Sequence, residues 1–398
     1  MALSAKSKTK KKRSLFYRVS AWLHLWLGLA SGIVVVIVSL TGAALVFEQE
    51  LRVWLQPYQT AESHGKEFIE PSKLKEAVMK RYNLPAISAV VYQGKDRSAV
   101  VPYYGDRSKF QLIYVDPYTA KILHYQLLDK DFYRIMLLGH YNLWLPREIG
   151  KPVVAYSTLI FVITLITGLV LWWPKKWTTN TRERAFFVKW SGNFKRVNHD
   201  LHNVLGFYSL AIALVLGLTG MVYGMKWFSD AVYWTASGGQ KSERFARQQS
   251  DTTLVKVSNI PDEDILFKNL KAKGEDLNTQ ILTIGYPFGK AGAWSVSLIP
   301  ELGRRMNERS QSYEQVSLKK LDKKPDNGGD KMMRLNYDLH VGSVGGIWTK
   351  IIALLVCLIS GSLPITGFFI WWAKKQPKKQ KEAKTKPTRQ MVTAYRSV

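Results

Sequence analysis

Four apolar runs, each long enough to cross a bilayer, constrain this chain more than anything else in it. They lie at about residues 23–47, 153–173, 201–225 and 347–372. A membrane-spanning helix needs roughly 20 such residues, and none of the runs carries an aspartate or glutamate between its ends. The expected fold class is therefore an α-helical integral membrane protein with four transmembrane helices. The net charge of +27 would by itself suit nucleic acid. Its cations, however, gather at residues 6–18, 175–196 and 374–389, each beside an apolar run. That is how cytoplasmic flanks look under the positive-inside rule, so the expected surroundings are a lipid bilayer and no nucleic acid. Tryptophans at the run ends, such as Trp22, Trp144, Trp172, Trp227 and Trp371, fit the interfacial belt.

The chain also repeats itself. Trp22-Leu-His-Leu-Trp-Leu-Gly28 opens the first run, and Asp200-Leu-His-Asn-Val-Leu-Gly206 opens the third. In each, a glycine follows the histidine four residues on, one turn along the same helix face. In each, a Thr-Gly pair lies seventeen residues past the histidine, Thr41-Gly42 and Thr219-Gly220. The closing stretches match as well: Thr167-Gly-Leu-Val-Leu-Trp-Trp-Pro-Lys-Lys176 answers Thr366-Gly-Phe-Phe-Ile-Trp-Trp-Ala-Lys-Lys375. His140 and His340 precede those endings by twenty-seven and twenty-six residues, counted to the threonine. Corresponding spans cross in the same direction, which predicts a pseudo-two-fold axis along the membrane normal.

The duplication divides the chain. A basic cytoplasmic N-terminus (1–20) precedes the first span (21–47) and an external α+β domain (48–138). An outer ligand segment with the second span (139–174) leads to a cytoplasmic loop (175–198). The third span (199–227), a second external α+β domain (228–335), an outer ligand segment with the fourth span (336–373) and a basic tail (374–398) repeat the order. Helices are expected at 71–82 and 261–271, and strands at 88–92, 98–104, 110–115, 121–127, 281–286, 293–299 and 312–318. The Thr-Gly pairs, one in every span, read as small residues that let helices approach, with each threonine hydroxyl bonded back to its own helix.

This topology sorts the histidines. His24 and His202 begin outward spans and lie near the cytoplasmic face; His140 and His340 precede inward spans and lie near the outer face. Paired across the pseudo-axis, they form two bis-histidine sites stacked across the bilayer. Two imidazoles suit the axial positions of haem iron and leave no position for oxygen. Gly28 and Gly206 would leave room for a flat macrocycle. The only cysteine, Cys357, lies in an apolar run, so covalent attachment through CxxCH is absent and the haems would be b-type. His199, three residues before His202 on the same face, is the rival ligand at the inner site. Trp144 stands where the inner sites have glycine, and could stack on a porphyrin edge or mark a displaced site. Arg18 and Arg196 read as solvated flank, or as partners of haem propionates. His64 and His124 read as surface residues.

The LHxxxG entries at His24 and His202, the Val115-Asp-Pro-Tyr-Thr-Ala-Lys-Ile122 turn and the paired TG…WWxKK endings resemble the PepSY-associated transmembrane proteins, over roughly residues 15–376. These are bacterial inner-membrane proteins that include di-haem ferrisiderophore reductases such as the ferrioxamine reductase. The resemblance implies PepSY-like periplasmic domains, two b haems, cytoplasmic termini, and electrons passing from a cytoplasmic donor to a periplasmic ferric siderophore. Ala120 departs from the family, in which glycine is commoner after Pro-x-Thr. Two alternatives stand beside this oxidoreductase: a membrane-anchored regulator of a periplasmic protease, and an iron or siderophore transporter. Transport would call for acidic residues in mid-span.

Overall fold

The computed structural model describes residues 13–104, 110–242, 248–253, 260–300, 304–322 and 324–376; most of the N-terminal basic segment and of the basic tail lies outside them. Helix α1 (Leu15–Leu45) starts on Ser14, whose hydroxyl accepts the Tyr17 amide. Then come α2 (Glu48–Leu55), α3 (Pro71–Tyr82) and strands β1 (Ala89–Tyr92), β2 (Ala99–Tyr103), β3 (Gln111–Val115) and β4 (Ile122–Leu127). Helix α4 (Phe132–Asn142) carries His140 and stops where Leu143 and Trp144 both turn left-handed. Helix α5 (Arg147–Trp172) crosses back, and α6 (Thr179–Phe186) follows. The second half repeats the order with α7 (Phe194–Gly224), α8 (Lys226–Ala236) and α9 (Asp262–Ala272). It continues through β5 (Ile281–Gly285), β6 (Trp294–Ile299), β7 (Arg309–Tyr313), α10 (Gly328–His340) and α11 (Ile347–Lys375).

Helices α1, α5, α7 and α11 are long and apolar enough to cross a membrane. They form a ring in which α1 and α7 each pack on both α5 and α11. Small residues set the crossings between the halves: a Cβ added at Gly32 would lie 3.2 Å from Pro364, and one at Gly217 only 2.9 Å from Val162. Leu165, Ala213 and Val356 form a buried apolar cluster inside the ring. One end of the bundle, where α1 begins and α11 ends, is the basic end; the other carries the sheet. Helix α7 begins at Phe194, capped by the Asn193 side chain, earlier than the apolar run suggests. It therefore carries a buried acid, Asp200, which the run's boundary leaves outside.

The two α+β domains expected from the sequence are one. The seven strands among the described residues form a single antiparallel sheet in the order β4-β3-β2-β1-β5-β6-β7, joined across the halves by β1 and β5. Each of those strands would otherwise expose a row of unpaired amides and carbonyls. At the seam Val90 faces Ile284 and Tyr92 faces Leu282, all four fully buried. Helices α3 and α9 cover the seam and are tied together. The Asp264 carboxylate accepts the Ser72 amide and hydroxyl, and Lys75 pairs with the buried Glu263 at 3.0 Å.

Strand β7 is also shorter at its C-terminal side than the alternation at 312–318 suggests. The Glu314 carboxylate accepts the Val316 and Ser317 amides and bends the chain into a turn that ends on a left-handed Leu318. It is the counterpart of the Asp116 turn, which ends on a left-handed Ala120.

Helix α4 is held at its start. Asp131 accepts the Arg134 amide as N-cap, takes a fork of two hydrogen bonds from Arg52 on α2 and another from Gln126. Arg52 also reaches Glu48. Removing one partner of such a buried pair strands the other. Arg52→Gln is expected to destabilise the fold by about 3 kcal/mol, read as a lowered thermal midpoint, while an unchanged midpoint would deny the fork this role.

Candidate functional site

The bundle brings four histidines into two pairs. The rings of His24 on α1 and His202 on α7 lie with centroids 6.2 Å apart at 83°. Those of His140 on α4 and His340 on α10 lie 6.1 Å apart at 54°. The first pair is at the basic end and the second at the sheet end. On α1, His24 and the Thr41 that touches His140 are seventeen residues apart, about 25 Å of helix rise.

Each ring has the same seat. His24 donates from Nδ1 to the Thr164 carbonyl at 2.9 Å, and His140 to the Val38 carbonyl at 2.9 Å. His202 and His340 donate to the hydroxyls of Thr366 and Thr219, at 2.9 and 3.0 Å. The Thr167 and Thr41 hydroxyls stand 3.4 Å from the Nδ1 of His24 and His140. Every one of these threonines spends its own proton on a carbonyl one turn back. A carbonyl only accepts, and a hydroxyl so committed can only accept from the ring. Nδ1 therefore carries the hydrogen in all four imidazoles, and Nε2 keeps its lone pair.

The glycine of each Thr-Gly pair makes the seat possible. A Cβ at Gly42, Gly168, Gly220 or Gly367 would lie 3.0, 3.1, 3.2 or 3.3 Å from the Cε1 of His140, His24, His340 or His202. The small-residue reading of these pairs is correct for the hydroxyl and incomplete for the glycine, because what approaches closely is an imidazole. Each histidine is seated by a Thr-Gly pair on another helix. Within each half, the second span seats the histidine of the first (Thr167-Gly168 under His24), and the first span seats the later one (Thr41-Gly42 under His140).

Gly28 and Gly206 behave differently. A Cβ at either would have no protein atom nearer than 4.0 and 3.6 Å, so close helix packing does not require glycine there. Both positions leave the wall beside His24 and His202 without a side chain. His199 stays largely exposed with Nδ1 3.6 Å from Asp200, and it is His202 that faces His24. Arg18 is exposed, and Arg196 is taken by Asp200 at 2.6 Å. Trp144 folds back over Gly139 and donates its indole N–H to the Ile135 carbonyl, and the sheet-end pair has nearly the ring spacing of the basic-end pair. His64 is exposed beside Glu62, and His124 stacks on Tyr58 at 3.9 Å.

One set of residues escaped the sequence reading. Asn198-His-Asp-Leu-His202 and Asn336-Tyr-Asp-Leu-His340 share four of five residues. Asn198 donates to the Thr366 carbonyl and Asn336 to the Thr219 carbonyl, binding each histidine-bearing helix to the span that seats it. Asp200 and Asp338, both fully buried, anchor neighbouring loops: Asp200 accepts the Lys189 amide, and Asp338 accepts the Arg305 and Met306 amides and the Ser343 hydroxyl. In the first half Ser20 and Met136 stand at the asparagine positions.

The donor set discriminates between metals held by protein alone and metals already held by a ligand. No group of three or more histidine, cysteine, aspartate or glutamate residues converges among the described residues. A structural zinc or a bare transition metal takes four or more ligands. An iron whose four equatorial positions belong to a macrocycle needs two. Two imidazole nitrogens, each about 2 Å from a shared metal, place ring centroids about 6 Å apart, and both pairs have that spacing. Ligating histidines characteristically donate their other ring N–H to a carbonyl or similar acceptor, as all four do here.

The family model of the PepSY-associated TM region matches residues 21–374, and the chain belongs to that family. No curated protein matches the chain.

Proposed function

We propose that this member of the PepSY-associated TM family is a transmembrane electron conduit holding two b-type haems. It would take electrons at the basic, cytoplasmic end and pass them to a ferric siderophore at the sheet, periplasmic end of a bacterial inner membrane. The observation that carries this reading is the fixed tautomer of four histidines in two facing pairs, each with Nε2 left for iron. His24 and His202 would hold one haem, His140 and His340 the other. A haem held by these imidazoles would supply one-electron redox chemistry.

The chain's own residues supply the rest. The four Thr-Gly seats orient the rings, and Asn198 and Asn336 hold the seating spans in register. A buried apolar cluster at Leu165, Ala213 and Val356 packs inside the ring. That packing, with no acidic residue at mid-span, weighs against a solute path and so against transport. Reduction of Fe(III) in an oxygen-ligand chelate weakens the complex, because hard oxygen ligands hold Fe(II) less strongly.

The experiment is reoxidation. Protein reduced inside sealed vesicles is expected to lose its reduced spectrum when a ferric siderophore is added outside. Indifference to every such chelate would favour the protease-regulator reading, in which the spans anchor the sheet domain.

A further inference from the structure

The surface of the bundle is grooved at both ends of α5, and the two grooves differ in charge. At the basic end a groove of about 440 Å³ lies between the start of α1 and the end of α5. Leu169, Val170 and Trp173 form its apolar side, while Arg13 and Lys175 bring two cations to a lining that contains no acid. The groove at the sheet end, about 450 Å³, includes Glu148, and its Lys226 is taken by Asp230. An anion entering there would meet a carboxylate; at the basic end it meets none.

Arg13 is placed by its contact with Tyr17 one turn along, the guanidinium 4.1 Å from the ring centroid. A guanidinium lying over a ring still presents the N–H fork that fits phosphate, and Lys175 adds a point charge. The sequence around the groove has the same sign. No acid occurs before Glu48, nor between Glu148 and Glu183. The chain's own ends offer no counter-ion: residues 1–12 hold five lysines and no acid, and residues 377–398 hold one acid, Glu382, against seven lysines and arginines. The occupant that fits is therefore anionic and comes from outside the chain.

It must also cover apolar surface. Leu15, Phe16 and Trp173 are each at least 60% exposed, on helices long and apolar enough to cross a membrane. At the edge of a bilayer such a surface is covered by acyl chains, with tryptophan at the level of the headgroups. Cations above an apolar wall have the polarity of a phospholipid.

We propose that the groove between α1 and α5 binds one anionic phospholipid, its phosphate on Arg13 and Lys175 and its acyl chains along Leu169, Val170 and Trp173. Bound there, the lipid joins the two helices that make the His24 seat: His24 donates to the Thr164 carbonyl, and Leu169 follows the Gly168 beneath the ring. The site goes beyond the electron-transfer reading and does not depend on it.

Native mass spectrometry of the detergent-purified full-length protein, titrated with dioleoylphosphatidylglycerol or dioleoylphosphatidylcholine, tests this without reference to haem. The two lipids share phosphate and chains and differ in net charge. One phosphatidylglycerol is expected to bind about tenfold or more tightly than phosphatidylcholine, and to raise the thermal midpoint. Arg13→Gln with Lys175→Gln, both at exposed positions, should abolish the preference and the rise. Lys175→Gln alone should weaken both in part, and Arg147→Gln with Lys151→Gln, at the other groove, should keep them. Equal binding of the two lipids, or a preference that survives Arg13→Gln with Lys175→Gln, overturns the proposal. A preference lost alike in both double variants overturns it too, since it would reflect diffuse attraction to cations. Displacement of the lipid by millimolar inorganic phosphate would assign the cations to a free anion, and the lipid site would be wrong.

Discussion

His202→Ala is expected to leave roughly half the haem on the protein and to stop electron delivery from the basic end. The remaining half belongs to the sheet-end pair, which has its own helices and its own seats: His140 on Val38 and Thr41, His340 on Thr219. Because Asp200 and Asn198 keep their partners in this variant, α7 should stay docked and the loss should be confined to one site. Haem content and the reduced-minus-oxidised spectrum measure this. Full occupancy with intact electron delivery would transfer the ligand role to His199, three residues away and largely exposed.

Gly42→Leu should strike the other pair. A Cβ there would lie 3.0 Å from Cε1 and 3.3 Å from Nδ1 of His140. The longer side chain must occupy the space of the imidazole itself and separate Nδ1 from the Val38 carbonyl. The expected result is loss of the sheet-end haem with the His24–His202 pair unaffected, the complement of the His202→Ala spectrum. If Gly42→Leu retains both haems, His140 does not depend on its seat, and the structural part of the account is wrong at that position.

Much of this was legible in the sequence because hydropathy and repetition are local signals. The spans, the positions of the strands along the chain and the identity of the four facing histidines follow from runs and offsets that do not depend on the tertiary fold. What stayed hidden depends on partners far along the chain. Val90 gives no sign that its neighbour is Ile284, because an apolar strand reads alike whether its edge is covered by its own domain or by another half. Residues 312–318 alternate like a strand, and only the Glu314 carboxylate, bonded to its own following amides, makes them a turn. The Thr-Gly pairs were visible, but the ring each one receives lies on another helix. The shared Asn-x-Asp-Leu-His of His202 and His340 was in plain view as well. It relates two histidines within one half, whereas the duplication directs attention to matches between halves.

The central claim is that each facing pair of imidazoles holds one iron in a porphyrin. The most direct measurement is the haem-to-protein ratio of the purified full-length chain, determined from the alkaline pyridine spectrum. The account predicts two non-covalent b haems per chain, low-spin in the native protein. Protein that folds and purifies with a featureless visible spectrum, and takes up no haem when it is supplied, would contradict it.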